Sequence, residues 1–527
     1  MKLISPKILL ILICLFYLCA SFYKISEVPP SLSWDEASVG YDAWSIIHDG
    51  KDQWGQFLPV AFRSFEEYKY PFHIYTTALF VKLFGLSDVA VRAPSVVFGL
   101  IDILILFFLV RLITKKDYLA ILSSAFLAIL PWFIQFSRVN WETNFALFFF
   151  MLGLLLFFYG IGKKSFLLVL SFIFFGLDLY TYNAAKIFIP LFLIFLLAIY
   201  FKELIKSKFI SITAIAAFLI VASINLLNPQ LSGLTRFQQV RFDDNLVTST
   251  TAYKLSKKYF FGKIEIIAGQ YISHFNPQFL FISGDKNPRH SSQMTGQLYW
   301  ADLALIPLGL YFLIRSKKKY GYMILVWFFL APIPGSITIE VPHASRAMFA
   351  LGGWQIVSAY GTYYFFQKLK NISIKKILAV FLALFILVSF IRYFYNYIYV
   401  YPLKSSQDWQ YGYKKIFENY NNNFYAFDNI IISDYLSQPY IFALYYLKYD
   451  PAKFRSEVQY NTSIRRSTSL VKSFGKFNFN TTEFTNLPKG KSLIFASPSE
   501  QLRELPKKDV IFNLDNSVAF YVYEYEK

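Results

Sequence analysis

Long apolar runs alternate with short basic or longer mixed-polarity stretches along this chain, and eleven of the runs approach the length a helix needs to cross a bilayer. They fall near 8–24, 89–110, 118–136, 143–161, 165–180, 184–201, 209–227, 298–314, 321–339, 347–366 and 377–400. A helix rises about 1.5 Å per residue, so about 20 residues cover a hydrocarbon core about 30 Å thick. The pattern predicts a polytopic α-helical membrane protein of about eleven transmembrane helices. With 56% hydrophobic and 20% aromatic residues among 527, a soluble globular chain is excluded.

The net charge of +19 would suggest a nucleic-acid partner if its cations were spread over a surface. They are not. Lys2 and Lys7, Arg111, Lys115 and Lys116, Lys163 and Lys164, Lys202, Lys206 and Lys208, Arg315 with Lys317–Lys319, and Lys368, Lys370, Lys375 and Lys376 all occupy alternate connections. The positive-inside rule makes that side cytoplasmic and leaves no nucleic-acid role. Segments 25–88, 228–297, 335–346 and the tail from 401 then face outward, as expected of a multi-pass protein of the cell membrane. Cys14 and Cys19 both lie in the first apolar run, so no disulfide framework or CxxC site is expected. No small-residue cleavage site follows that run, which is expected to stay as an uncleaved span.

The polar stretches suggest a division into residues 1–400, a membrane domain, and residues 401–527, a small extracytoplasmic α/β domain. In the tail, strand-like Asn429–Ser433, Ser492–Ala496 and Val518–Tyr523 interleave with helix-like Gln438–Leu447. In 25–88, a helix-like stretch from Glu36 to His48 and an apolar one from Tyr70 to Phe84 suit helices lying at the interface, with Trp34, Trp44 and Trp54 as headgroup-level anchors. Segment 228–297 is polar and carries an irregular cluster, Gly284, Asp285, Asn287, Pro288, Arg289 and His290. Neither half repeats the other's pattern, which argues against an inverted-repeat transporter.

Groups able to do chemistry collect in the outward segments. Asp35 and Glu36 follow the first run. Arg63, Glu66, Glu67 and Lys69 come next, then Arg138 and Glu142, Lys186, Arg289 and His290, and His343 and Arg346. Carboxylates beside cations at one membrane face suit transfer from a lipid phosphate: a carboxylate takes a proton from the acceptor while Arg and Lys hold the leaving phosphate. Plainer roles compete. Asp35 could be a helix N-cap, Lys69 a snorkelling cation, Arg138 and Glu142 partners of each other, and the two histidines hydrogen-bonded loop residues rather than metal ligands.

The order Trp34-Asp35-Glu36, Lys69-Tyr70-Pro71, Ser137-Arg138-Val139-Asn140-Trp141-Glu142, Asn287-Pro288-Arg289-His290 and Pro342-His343-Ala344-Ser345-Arg346 resembles glycosyltransferase family 39, across residues 8 to 366. That family holds the protein O-mannosyltransferases and is related to the lipid A aminoarabinose transferases. The resemblance implies a GT-C fold and inverting transfer of one sugar from a polyprenyl-phosphate donor to a protein, lipid or cell-wall acceptor on the outer face. It assigns Asp35 the role of base, with Glu36 orienting the acceptor or holding the loop. Lys69, Arg138, Arg289 and Arg346 are expected at the donor phosphate, with Glu67, Glu142, His290 and His343 as further site candidates. Tyr70 stands where the aminoarabinose branch has a proline. No nucleotide loop is implied and no essential metal is expected, although an Asp-Glu pair is able to take a divalent ion. The alternatives are a ligase or polymerase of lipid-linked glycans, a lipid or glycan transporter, and a scaffold whose tail is a binding module.

Overall fold

The computed structural model describes residues 5–527 except 66, 164, 462–468, 480–486, 501 and 503. Lys2, Glu66 and Lys164 lie outside the described residues. The chain opens with helix α1 (Pro6–Phe22), helix α2 (Trp34–Asp49), a hairpin of β1 (Phe62–Ser64) and β2 (Glu67–Lys69), helix α3 (Pro71–Phe84) and helix α4 (Asp88–Thr114). It divides into two compact units. One comprises Met1–Tyr23 and Ser95–Asn396, the other Lys24–Pro94 and Tyr397–Lys527.

The first unit is helical. Each of the eleven apolar runs contains a helix, and four helices among the described residues are long and apolar enough to cross a membrane by themselves: α4, Glu142–Gly160, Lys208–Leu227 and Ile372–Ser405. Asp117–Ala128 and Pro131–Ser137 qualify as a pair bent by 62°. The proline explains the break, because its ring disfavours helical backbone at the preceding residue. Shorter apolar helices are α1, Leu167–Asp178 and Ala185–Ile199. Segment 228–297 is more regular than its polarity suggested. It forms helices Leu234–Val240, Asp244–Ser249, Thr251–Ser256 and Tyr259–Ser273, and turns irregular beyond the π-helical turn Gln278–Ile282. Short helical turns, two of them capped by Asp243 and Thr250, carry little periodicity for a sequence to show.

The second unit joins Lys24–Pro94 to Tyr397–Lys527, whereas the sequence suggests a division at residue 400. Its sheet runs β4 (Gln459–Tyr460), β5 (Val471–Phe474), β6 (Phe477–Asn478), β3 (Asn429–Ile432), β7 (Lys491–Ala496), β9 (Val518–Glu526) and β8 (Lys507–Phe512) in spatial order. Strand β3 is parallel to both of its neighbours, and the outer pairs are antiparallel. One continuous core runs from Leu32, Tyr41 and Val91 to Tyr413, Phe442 and Phe495.

Local rules explain why α2 starts and stops where it does. Ser33 accepts the Glu36 N–H and the Glu36 carboxylate accepts the Ser33 N–H, a reciprocal capping box. Gly50 closes the helix at φ +73°, a backbone region open to glycine without penalty. The helix is buried along most of its length, and an added Cβ on Gly40 would lie 2.7 Å from both Val91 and Tyr445. That close approach lets α2 sit against helix Pro439–Tyr446.

Candidate active site

The capping box sets how the acidic pair is held. Because Ser33 is the N-cap, Asp35 is the second helical residue and its side chain is not the cap of α2. Its carboxylate sits at the positive end of the helix dipole. Lys69, at the end of β2, donates to Asp35 Oδ1 at 3.1 Å and to the Asp35 carbonyl at 3.0 Å. The lysine side chain is 5% exposed and the aspartate side chain 32%, so the acid opens to solvent while its cation stays behind it. The ammonium also lies 5.1 Å from the centre of the Phe65 ring. The β1–β2 hairpin fixes this geometry by pairing Phe62 with Lys69, Arg63 with Tyr68 and Ser64 with Glu67. Glu67 is therefore at the turn end of the hairpin, partly exposed. Arg63 lies over Trp54, 5.3 Å from its ring centre.

Glu36 points elsewhere. It is fully buried and pairs with Arg92, whose Nε lies 3.0 Å from Oε1. The same guanidinium donates to the carbonyls of Ile25 at 2.8 Å, Pro29 at 2.9 Å and Ser31 at 2.6 Å. Through Arg92, Glu36 thus ties the start of α2 to the 25–31 loop.

Two more titratable groups in this unit escaped sequence reasoning. Asp42, about two turns beyond Asp35 along α2, accepts from the Gln53 N–H at 3.0 Å and its side-chain amide at 3.1 Å. Burial first, and the neighbouring Asp52 second, push its carboxyl up to about 7. His73, in the first turn of α3, is buried, and burial with the nearby Lys69 charge lowers its imidazole to about 3, so it stays neutral at pH 7. Neither had a sequence signal beyond a lone polar residue in an apolar stretch.

The remaining candidates belong to the first unit. Arg138 is buried, and its Nη1 donates at 2.8 Å to the carbonyls of both Ala20 and Ser21 in the last turns of α1. Glu142 opens helix Glu142–Gly160. The Arg289 carbonyl accepts from Gln135 at 2.7 Å. Arg346 donates to Thr338 Oγ1 at 2.7 Å and to the Ile339 carbonyl at 2.5 Å.

His290 and His343 come together, with ring centres 4.7 Å apart. Asp285 Oδ2 faces His290 Nδ1 at 3.0 Å and accepts the Ala344 N–H at 2.7 Å. Burial would raise this carboxyl, but the His290 ring and the N–H groups of Asn287 and Ala344 outweigh it and hold it below the usual carboxylate range. One ligand atom from each of Asp285, His290 and His343 falls within 4.8 Å of the others. Two imidazoles and a carboxylate form a donor set able to hold a divalent transition metal. Sequence reasoning named both histidines but not Asp285 as their partner. Behind them, buried His274 faces the Gln270 carbonyl through Nδ1 at 2.9 Å and accepts the His343 N–H through Nε2, which matches a neutral ring lowered to about 4 by burial.

Residues 69–227 match the family profile described as dolichyl-phosphate-mannose-protein mannosyltransferase. No curated protein matches the chain. Among solved structures, ArnT from Cupriavidus metallidurans bound to undecaprenyl phosphate is similar with a TM-score of 0.55 at 12% identity, over 98% of this chain and 97% of that one. The Archaeoglobus fulgidus oligosaccharyltransferase in the apo form is similar with a TM-score of 0.51 at 15% identity, over 84% of this chain and 64% of that one. The likeness to these structures shows the fold, a GT-C membrane fold.

Proposed function

We propose that this chain, a membrane protein with the fold of lipid-phosphate-linked glycosyltransferases, moves a single sugar from a polyprenyl-phosphate donor to an acceptor on the extracytoplasmic face, with inversion at the anomeric carbon. The observation that carries the reading is the pairing of Asp35, on the first turn of a buried helix, with Lys69 at the end of β2, the carboxylate being the more open partner. Asp35 takes the proton of the acceptor hydroxyl as its oxygen attacks the anomeric carbon. The bond to the phosphate oxygen breaks on the opposite side, and that oxygen leaves with the electron pair. Lys69 holds the Asp35 carboxylate in place before turnover. Drawing Lys69 toward the developing phosphate charge would release Asp35 to act as the stronger base.

The acceptor is a protein, a lipid or a cell-wall polymer. The chain is proposed to cross the cell membrane eleven times, with residues 401–527 outside, and cysteine labelling of the loops tests that topology. Phosphate contacts at Arg138, Arg289 and Arg346 are proposed from the resemblance alone. Donor-binding measurements on Arg289→Gln and Arg346→Gln check two of them. Transfer is expected to survive chelation; loss on chelation with recovery in zinc or manganese would instead make the Asp285, His290 and His343 set essential.

The test is transfer of labelled sugar from polyprenyl-phosphate mannose and related donors by purified protein in liposomes. Removing a general base typically costs about 10²–10⁴-fold in rate. Asp35→Asn is expected to fall by that much with folding intact. Equal turnover by both proteins would remove Asp35 from the chemistry, and no turnover with any donor would favour a transporter or scaffold.

A further inference from the structure

The first N–H groups of a helix have no partner within it and must find one elsewhere. In α2, Ser33 takes the Glu36 N–H, and the Trp34 N–H donates at 2.9 Å to the side-chain oxygen of Gln410, which lies 376 residues further on. Gln410 is buried and uses both ends of its amide, because Nε2 donates to the carbonyls of Leu436 at 2.6 Å and Ser437 at 3.1 Å. Its backbone is left-handed, at φ +55°, a region that a non-glycine residue seldom occupies without a compensating contact. The same turn is tied to the sheet domain, since Gln438 Oε1 accepts the Leu470 N–H at 3.0 Å just before β5. The preceding residue is gripped as well. Ser31 Oγ donates to the Trp409 carbonyl, and the Arg92 guanidinium lies 5.9 Å from the centre of the Trp409 ring.

We propose that Gln410 is a positioning residue for Asp35, and that the C-terminal residues serve the reaction by fixing where the base sits. The inference rests on Asp35 being the base. Only a carboxamide fits the place. It offers one acceptor to the Trp34 N–H and two donors to the paired carbonyls, whereas a glutamate would set a carboxylate against two carbonyl oxygens and a methionine would offer neither group.

The experiment compares wild type, Gln410→Met, Gln410→Glu and Asp35→Asn by hydrogen exchange of the full chain in detergent and by steady-state transfer in liposomes. Methionine keeps the length and apolar volume, so packing is retained while the tether is cut. Faster exchange is expected in Gln410→Met for the peptide spanning residues 30–41, with β3 and β7 as protected as in wild type. Misplacing a reacting group by about 1 Å costs up to about 10²-fold, so kcat should fall by about ten- to a hundredfold while KM for the donor stays within about twofold. Gln410→Glu should follow Gln410→Met rather than wild type. Unchanged exchange at 30–41, unchanged kcat, or deprotection that spreads to β3 and β7 overturns the proposal. Wild-type activity in Asp35→Asn together with faster exchange in Gln410→Met would instead retain the tether and reject Asp35 as base.

Discussion

Folding of the second unit moves a proton from a histidine to an aspartate. Asp42 rises from 3.8 to about 7, so the folded chain binds its proton where the unfolded chain has lost it, and this stability is lost as pH climbs from about 4 to 7. His73 falls from 6.5 to about 3, so the unfolded chain binds the extra proton, and its effect is opposite: stability is lost as pH drops below about 6.5. Each slope approaches about 1.4 kcal/mol per pH unit, and between about pH 4 and 6.5 they oppose one another. Asp42→Asn is therefore expected to uncover a melting temperature that rises with pH over that window relative to wild type, and His73→Gln one that falls. Melting curves of both variants from pH 4 to 7 check the signs. Asp35 was legible in the sequence because paired acids beside an apolar run are conspicuous. Asp42, His73 and Gln410 were not, since a single polar residue in an apolar stretch does not reveal which distant group it meets.

At the scale of elements, the start of α2 depends on a buried charge pair. Breaking one typically costs about 3–5 kcal/mol because an unpaired charge is left behind. Arg92→Met should destabilise the chain by that order, and Glu36→Gln somewhat less, because the arginine keeps the Ile25, Pro29 and Ser31 carbonyls as partners. The double variant should cost less than the sum, which a denaturant double-mutant cycle measures. Gly40→Val should be harmful for a different reason, since its side chain would displace Val91 and the Tyr445 ring. Apolar runs made the helices legible, and short strand-like runs rich in Ile, Val, Phe and Tyr picked out β3, β7 and β9. The β1–β2 hairpin was missed because strands of three residues are too short for a period-2 pattern, and the order of the sheet depends on contacts that local sequence does not record.

At the scale of the whole molecule, the second unit is assembled from the two ends of its span, residues 24–94 and 397–527. Deleting 397–527 would strip Leu32, Tyr41 and Val91 of their core partners. The truncated protein is expected to lose transfer altogether and to be cut by protease within 24–94 at a dose the full chain withstands. The shared core also imposes an order of events during synthesis. About 300 residues separate the two parts of that core, and at about 5–20 residues per second a ribosome needs roughly 15–60 s to add them. For that interval the helix bearing Asp35 waits without the surface it packs on, so under the proposed mechanism the base is among the last parts of the protein to be set in place, and a nascent chain already in the membrane cannot yet deprotonate its acceptor.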